Sequence, residues 1–87
     1  MKIKDGFILR TVGTECVVAA VGEQSRNFNG IIRLNGTAKF LWEQLQQETT
    51  EEKIVDALLE SYDIAREQAE ADVHRFVGKL KEAGILA

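Results

Sequence analysis

Few side chains in this sequence could carry out a reaction, and their spacing decides what they can do. His74 is the one histidine and Cys16 the one cysteine. A zinc centre needs three or four converging N, S or O ligands, which a histidine with no second His or Cys near it cannot supply. His74 borders the apolar face of a helical segment and reads as a surface or boundary residue. Cys16 sits in the run Cys16-Val17-Val18-Ala19-Ala20-Val21. A free thiol there behaves as a small hydrophobe, and no neighbouring feature would lower its pKa to give a reactive thiolate. Glu48, Glu51, Glu52 and Asp56 could serve as an acid–base pair or grip a metal. At the start of a helix, however, carboxylates complement the positive end of the helix dipole and cap free N–H groups. The glycines are scattered, with no phosphate-cradling loop among them. The sequence therefore predicts no catalytic residue, no metal ligand and no cofactor. It reads as a non-enzymatic chain.

What must position any remaining function is a small framework. The 87 residues, 45% of them apolar, suit one domain spanning 1–87 with a single core. No apolar run reaches the length of a membrane span, and residues 1–6 lack the apolar stretch of a signal peptide. The unpaired cysteine fits a reducing cytoplasm. Charge is uneven: residues 1–34 hold five basic and three acidic side chains (+2) and residues 35–87 six and eleven (−5), summing to −3.

The first third has strand character. Phe7–Val12 and Cys16–Val21 are β-rich, and Gly13-Thr14 between them suits a type II′ turn. Residues Gly22 to Asn29 read as a polar loop, and Gly30-Ile31-Ile32-Arg33-Leu34 as a short third strand. Its alternation places Ile32 and Leu34 on one face and Ile31 and Arg33 on the other. Three helices follow. Asn35 caps the first, whose apolar positions are Ala38, Leu41, Trp42 and Leu45. Thr49 and Glu52 have the spacing of a capping box for the second, with Ile54, Val55, Leu58, Leu59 and Tyr62 as its buried stripe. Ala69, Val73, Phe76, Val77 and Leu80 line the third, which Gly84 ends and over which Ile85 folds back. The predicted fold is α+β, winged helix-turn-helix-like, with a three-stranded antiparallel sheet followed by three helices (β-β-β-α-α-α). Trp42, Leu58, Val73, Phe76 and Leu80 are its expected core.

Two binding functions compete on such a framework. A winged-helix DNA-binding regulator would place the third helix in the major groove. Here Arg66, Arg75, Lys79 and Lys81 are cancelled by Glu67, Glu70, Asp72 and Glu82, and the second helix is acidic. A neutral reading helix forfeits the phosphate contacts that supply most of the affinity, although Lys2, Lys4, Arg10, Arg26 and Arg33 could form a basic wing. The alternative is peptide capture, because an open strand edge offers a ladder of N–H and C=O groups to an extended chain. The strand from Gly30 to Leu34 is the candidate edge. A bare edge merely blunted by Arg33 stands beside that reading.

Leu34-Asn35-Gly36-Thr37-Ala38-Lys39-Phe40-Leu41-Trp42-Glu43-Gln44-Leu45 resembles the LN-x-T-x-x-x-x-W-x-x-L signature of PqqD-like proteins. Thr49-x-Glu51-Glu52-x-Ile54-Val55-x-x-Leu58 fits the same family. So does the ending from Asp72-Val73-x-x-Phe76-Val77-x-x-Leu80 to Gly84-Ile85-Leu86, and the likeness spans nearly the whole chain. The resemblance implies a recognition element for ribosomally made, post-translationally modified peptides. Such elements bind the leader region of a precursor peptide as an added antiparallel strand. They then present its core region to a maturation enzyme, often a radical S-adenosylmethionine protein. Carried over, Gly30, Ile31, Ile32, Arg33 and Leu34 supply backbone pairing, and Asp72, Arg75, Phe76 and Lys79 the helix side of the groove. Phe76 belongs mainly to the core, with its edge in the groove. Gly36 and Ala65 depart from the family's usual acidic and capping residues. Relatives occur outside quinone biosynthesis, and both monomer and homodimer are open.

Overall fold

Two β-rich runs close into a hairpin because the two residues between them can make the tightest turn a twisted strand pair accepts. In the computed structural model, which describes residues 1–26 and 31–87, β1 (Phe7–Val12) and β2 (Glu15–Ala20) are antiparallel. Val12 lies opposite Glu15, so Gly13 and Thr14 form the whole connection. Gly13 takes φ +65° and Thr14 no positive φ, as a type II′ turn requires.

Part of the expected polar loop is wound. Gly22–Arg26 make a 3₁₀ turn, within which the Ser25 hydroxyl donates to the Gly22 carbonyl at 2.6 Å. A short polar side chain bonding its own backbone in this way stands in for a turn's main-chain bond. Residues 27–29 of that loop, and Gly30, lie outside the described residues. The third strand, β3, is described over Ile31–Leu34 and pairs antiparallel with β2, Leu34 opposite Cys16 and Ile32 opposite Val18. The sheet order is β1-β2-β3, which makes β3 an edge. Alternation sends Phe7, Val18 and Leu34 into the core and leaves Arg10 and Arg33 exposed on the far face.

The helices that cover the sheet are α1 (Gly36–Gln44), α2 (Glu51–Ser61) and α3 (Arg66–Glu82). Asn35 caps α1, its Oδ1 accepting from the Ala38 N–H at 2.8 Å. The cap of α2 falls one residue later than the expected Thr49. Thr50 has the extended backbone of an N-cap, and its Oγ1 accepts from the Lys53 N–H at 3.2 Å. Thr49 is committed elsewhere, its own N–H donating to the Met1 carbonyl at 3.0 Å. With Lys53 at the third helical position, the reciprocal half of a capping box has no carboxylate to make it. Tyr62 also departs from expectation. Helix α2 ends at Ser61, and Tyr62, in extended backbone, stands 38% exposed with its ring edge-on to Phe40 at 5.6 Å. The end of α3 follows the expected pattern. Gly84 (φ +73°) donates to the Lys81 carbonyl, and Ile85 donates to that of Leu80 at 2.9 Å and is fully buried. These are the two bonds of a Schellman motif.

The helices and the sheet share one core, with Trp42, Leu45, Leu58, Val73 and Leu80 each at most 1% exposed. The first residues join it, which no local pattern announces. The Ile3 N–H donates to the Leu45 carbonyl and the Lys4 N–H to that of Ile85, while Ile3 bridges Leu86 and is buried. The Met1 ammonium pairs with Glu48, whose carboxyl it holds below the ordinary range. None of the described helices is long and apolar enough to cross a membrane.

Candidate functional site

The open side of β3 lies beside α3, and two adjoining clefts run along α3, one against β3 and the other against α1. The larger, about 610 Å³, is walled by Ile32, Arg33 and Leu34 of β3, by Asn35 and Ala38, and by Phe76, Lys79, Leu80, Glu82 and Ala83. The smaller, about 260 Å³, lies between α1 and α3 and is walled by Asn35, Thr37, Ala38 and Leu41 on one side and Asp72, Arg75, Phe76 and Lys79 on the other. Asn35, Ala38, Phe76 and Lys79 belong to both walls, so the two clefts are continuous.

Each wall has a local origin. Leu34 and Ile32 point to the core side of the sheet, where Leu34 is buried and Ile32 half-buried. The Arg33 side chain is 73% exposed and reaches Glu15 of β2 at only 4.0 Å. On α3, Asp72, Phe76, Lys79 and Ala83 recur at i, i+4, i+7 and i+11, one stripe beside the buried one. Phe76, 9% exposed, is mostly core but lines both clefts. Asp72 accepts from Gln68 Nε2 at 2.8 Å and pairs with Arg75 at 3.5 Å. No ion pair engages Lys79 among the described residues. The walls therefore carry three cations (Arg33, Arg75, Lys79) against two anions (Asp72, Glu82), a balance of +1 in a chain of net charge −3.

The structure thus brings together Ile32, Arg33, Leu34, Asp72, Arg75, Phe76 and Lys79. Ile31 is present as a β3 residue paired with Ala19. Not foreseen from the sequence as site residues are Asn35 at the start of α1, Thr37, Ala38 and Leu41 within it, Leu80 and Glu82 of α3, and Ala83 at its end. Extending the Asp72–Phe76–Lys79 stripe one further turn would have reached Ala83. The contribution of α1 had no such signal, because it depends on how α1 packs against α3.

The remaining chemistry-bearing residues gather elsewhere. A third cleft, about 490 Å³, lies between α2 and α3 and is lined by Glu51, Glu52, Val55, Arg66, Glu70 and His74. His74 Nδ1 meets Glu51 Oε1 at 3.1 Å on the surface, and Glu51 and Glu52 occupy the first turn of α2. Arg66 pairs with Asp56 at 2.9 Å, which raises the guanidinium pKa further. Cys16 is half-buried on the core side of the sheet, 3.9 Å from the Thr11 hydroxyl. Among the described residues, no His, Cys, Asp and Glu side chains are grouped to hold a metal ion.

Residues 9–86 match the sequence model of one family, described as coenzyme PQQ synthesis protein D (PqqD). The chain belongs to the PqqD family. Two solved structures share the fold of this chain. One is TbiB1 in complex with the TbiA(β) leader peptide, 24% identical, covering 99% of this chain and 94% of that one with a TM-score of 0.78. The other is lasso peptide synthetase B1 complexed with the leader peptide, 21% identical, covering 97% and 93% with a TM-score of 0.74. At these identities the likeness is one of fold. No curated protein sequence matches the chain.

Proposed function

We propose that this PqqD-family chain is a non-catalytic adaptor. It captures the leader region of a ribosomally made precursor peptide and presents the rest to a maturation enzyme. The observation that carries this reading is the open edge of β3 beside a cleft based on Phe76 and Leu80. An extended peptide laid on that edge would complete main-chain hydrogen bonds that the strand leaves unmade. Its alternate side chains would enter the clefts. The two fold relatives, each in complex with a leader peptide, support the same assignment.

In this reading Ile31, Ile32, Arg33 and Leu34 offer backbone groups. Asp72, Arg75, Phe76 and Lys79 meet the leader's side chains. The positive balance of the walls favours an acidic leader by steering its approach. The enzyme partner in this reading is a maturase, with the radical S-adenosylmethionine class as its first candidate. The test is a titration of the ¹⁵N-labelled chain with the precursor peptide encoded beside its gene. Saturable shifts at Ile31–Leu34 and along Asp72–Ala83 are expected. Shifts confined to residues 6–21 would remove the groove assignment.

A further inference from the structure

The two clefts are offset along the groove by a distance that sets the spacing of what they hold. The α3 residues lining the small cleft run from Asp72 to Lys79, and those lining the large one from Phe76 to Ala83. That is a shift of four positions at either end (72 to 76, 79 to 83). Four helical residues rise about 6 Å. Two residues of an extended strand advance about 6.6 Å and point to the same side. An added strand that follows the line of α3 would place residue i over one cleft and residue i+2 over the other.

The clefts differ in chemistry. The large one is founded on Ile32, Leu34, Phe76, Leu80 and Ala83, and Glu82 sits at its wall. It suits an aliphatic side chain. The small one is flanked by Arg75 and Lys79. Asp72 shares its wall, but that carboxylate is already held by Gln68 at 2.8 Å and Arg75 at 3.5 Å, which leaves Lys79 free to meet another. The small cleft suits a carboxylate.

Chain direction fixes the order. β3 runs from Ile32, at the large cleft, towards Asn35, where the small one begins, and α3 runs the opposite way. A strand antiparallel to β3 enters over the small cleft and leaves over the large one.

We propose that the segment captured reads Asp/Glu-x-Leu/Ile/Val from N to C. Its carboxylate lies over Arg75 and Lys79, and its aliphatic side chain two residues later fills the large cleft. This inference rests on the strand-addition reading above and adds the sequence pattern that reading leaves open.

Blocked synthetic peptides of identical composition test it, carrying Glu-x-Leu, the reversed Leu-x-Glu, or the misregistered Glu-x-x-Leu in one polar frame. Each is titrated into the ¹⁵N-labelled full chain, beside the precursor peptide encoded next to its gene. Glu-x-Leu should bind about tenfold tighter than either control, the worth of one charge-assisted hydrogen bond. In the Arg75→Glu/Lys79→Glu chain the preference should pass to Lys-x-Leu. Equal affinities, or preference for the reversed order, overturn the pattern while shifts in β3 keep strand addition standing. Silence of β3 towards both the synthetic peptides and the encoded precursor overturns strand addition, and the pattern with it.

Discussion

Proline substitution at two adjacent positions of β3 separates the strand's two sets of hydrogen bonds. Neighbouring residues of an antiparallel strand direct their N–H groups alternately to either side. Of Ile32 and Arg33, one therefore donates into the ladder with β2 and the other towards the open edge. Proline at the inward position removes a ladder bond and strands a β2 carbonyl, at a cost of about 1–3 kcal/mol. For 87 residues the whole stability is about 4–13 kcal/mol at roughly 0.05–0.15 kcal/mol per residue, so this loss is large. Proline at the outward position spares the ladder and should cost about 1 kcal/mol or less, since edge strands tolerate it there. It should instead cut leader affinity by about 5- to 150-fold, the equivalent of 1–3 kcal/mol, through a missing donor and a protruding ring. Urea unfolding followed by Trp42, the only tryptophan, reads the first effect, and leader titration the second. Ile32→Ala and Arg33→Ala correct for the lost side chains. If both prolines destabilise alike and leave leader affinity at the alanine values, the open edge is not where the peptide pairs.

Three further outcomes are expected. Trp42→Ala, at a site 1% exposed, should cost about 3–5 kcal/mol and lower the urea midpoint without changing the unfolding slope. Arg75→Glu with Lys79→Glu should slow association with an acidic leader, by a larger factor at low salt than at high, in stopped-flow traces. Duplex DNA should show no sequence-specific binding with a steep salt slope. The acidic first turn of α2 and the mixed charges of α3 leave few phosphate contacts to make.

Much of the framework was legible because its signals are local. The turn at Gly13, the cap at Asn35, the α3 stripe and the stop at Gly84 each rest on residues within one turn of each other. Features that depend on distant partners were not legible. Nothing near Thr49 shows that its N–H belongs to Met1, so the α2 cap fell one residue early. The bridge between Ile3 and Leu86 joins the two ends of the chain and has no periodicity of its own. Tyr62 fits the helical spacing of Ile54, Val55 and Leu58, yet the helix stops before it and its ring turns to Phe40. The site divides in the same way. Its α3 stripe and β3 edge follow from spacing and order, whereas Asn35, Thr37 and Ala38 join it only through the packing of α1 against α3.

The most direct test is an isotope-filtered NOE measurement on the ¹³C,¹⁵N-labelled chain saturated with unlabelled precursor leader. Strand addition predicts Hα–Hα and HN–HN contacts between the leader and Ile31–Leu34 in an antiparallel register, with alternate leader side chains contacting Phe76 and Lys79. Leader contacts confined to β1, or to the Glu51–His74 cleft, would contradict it.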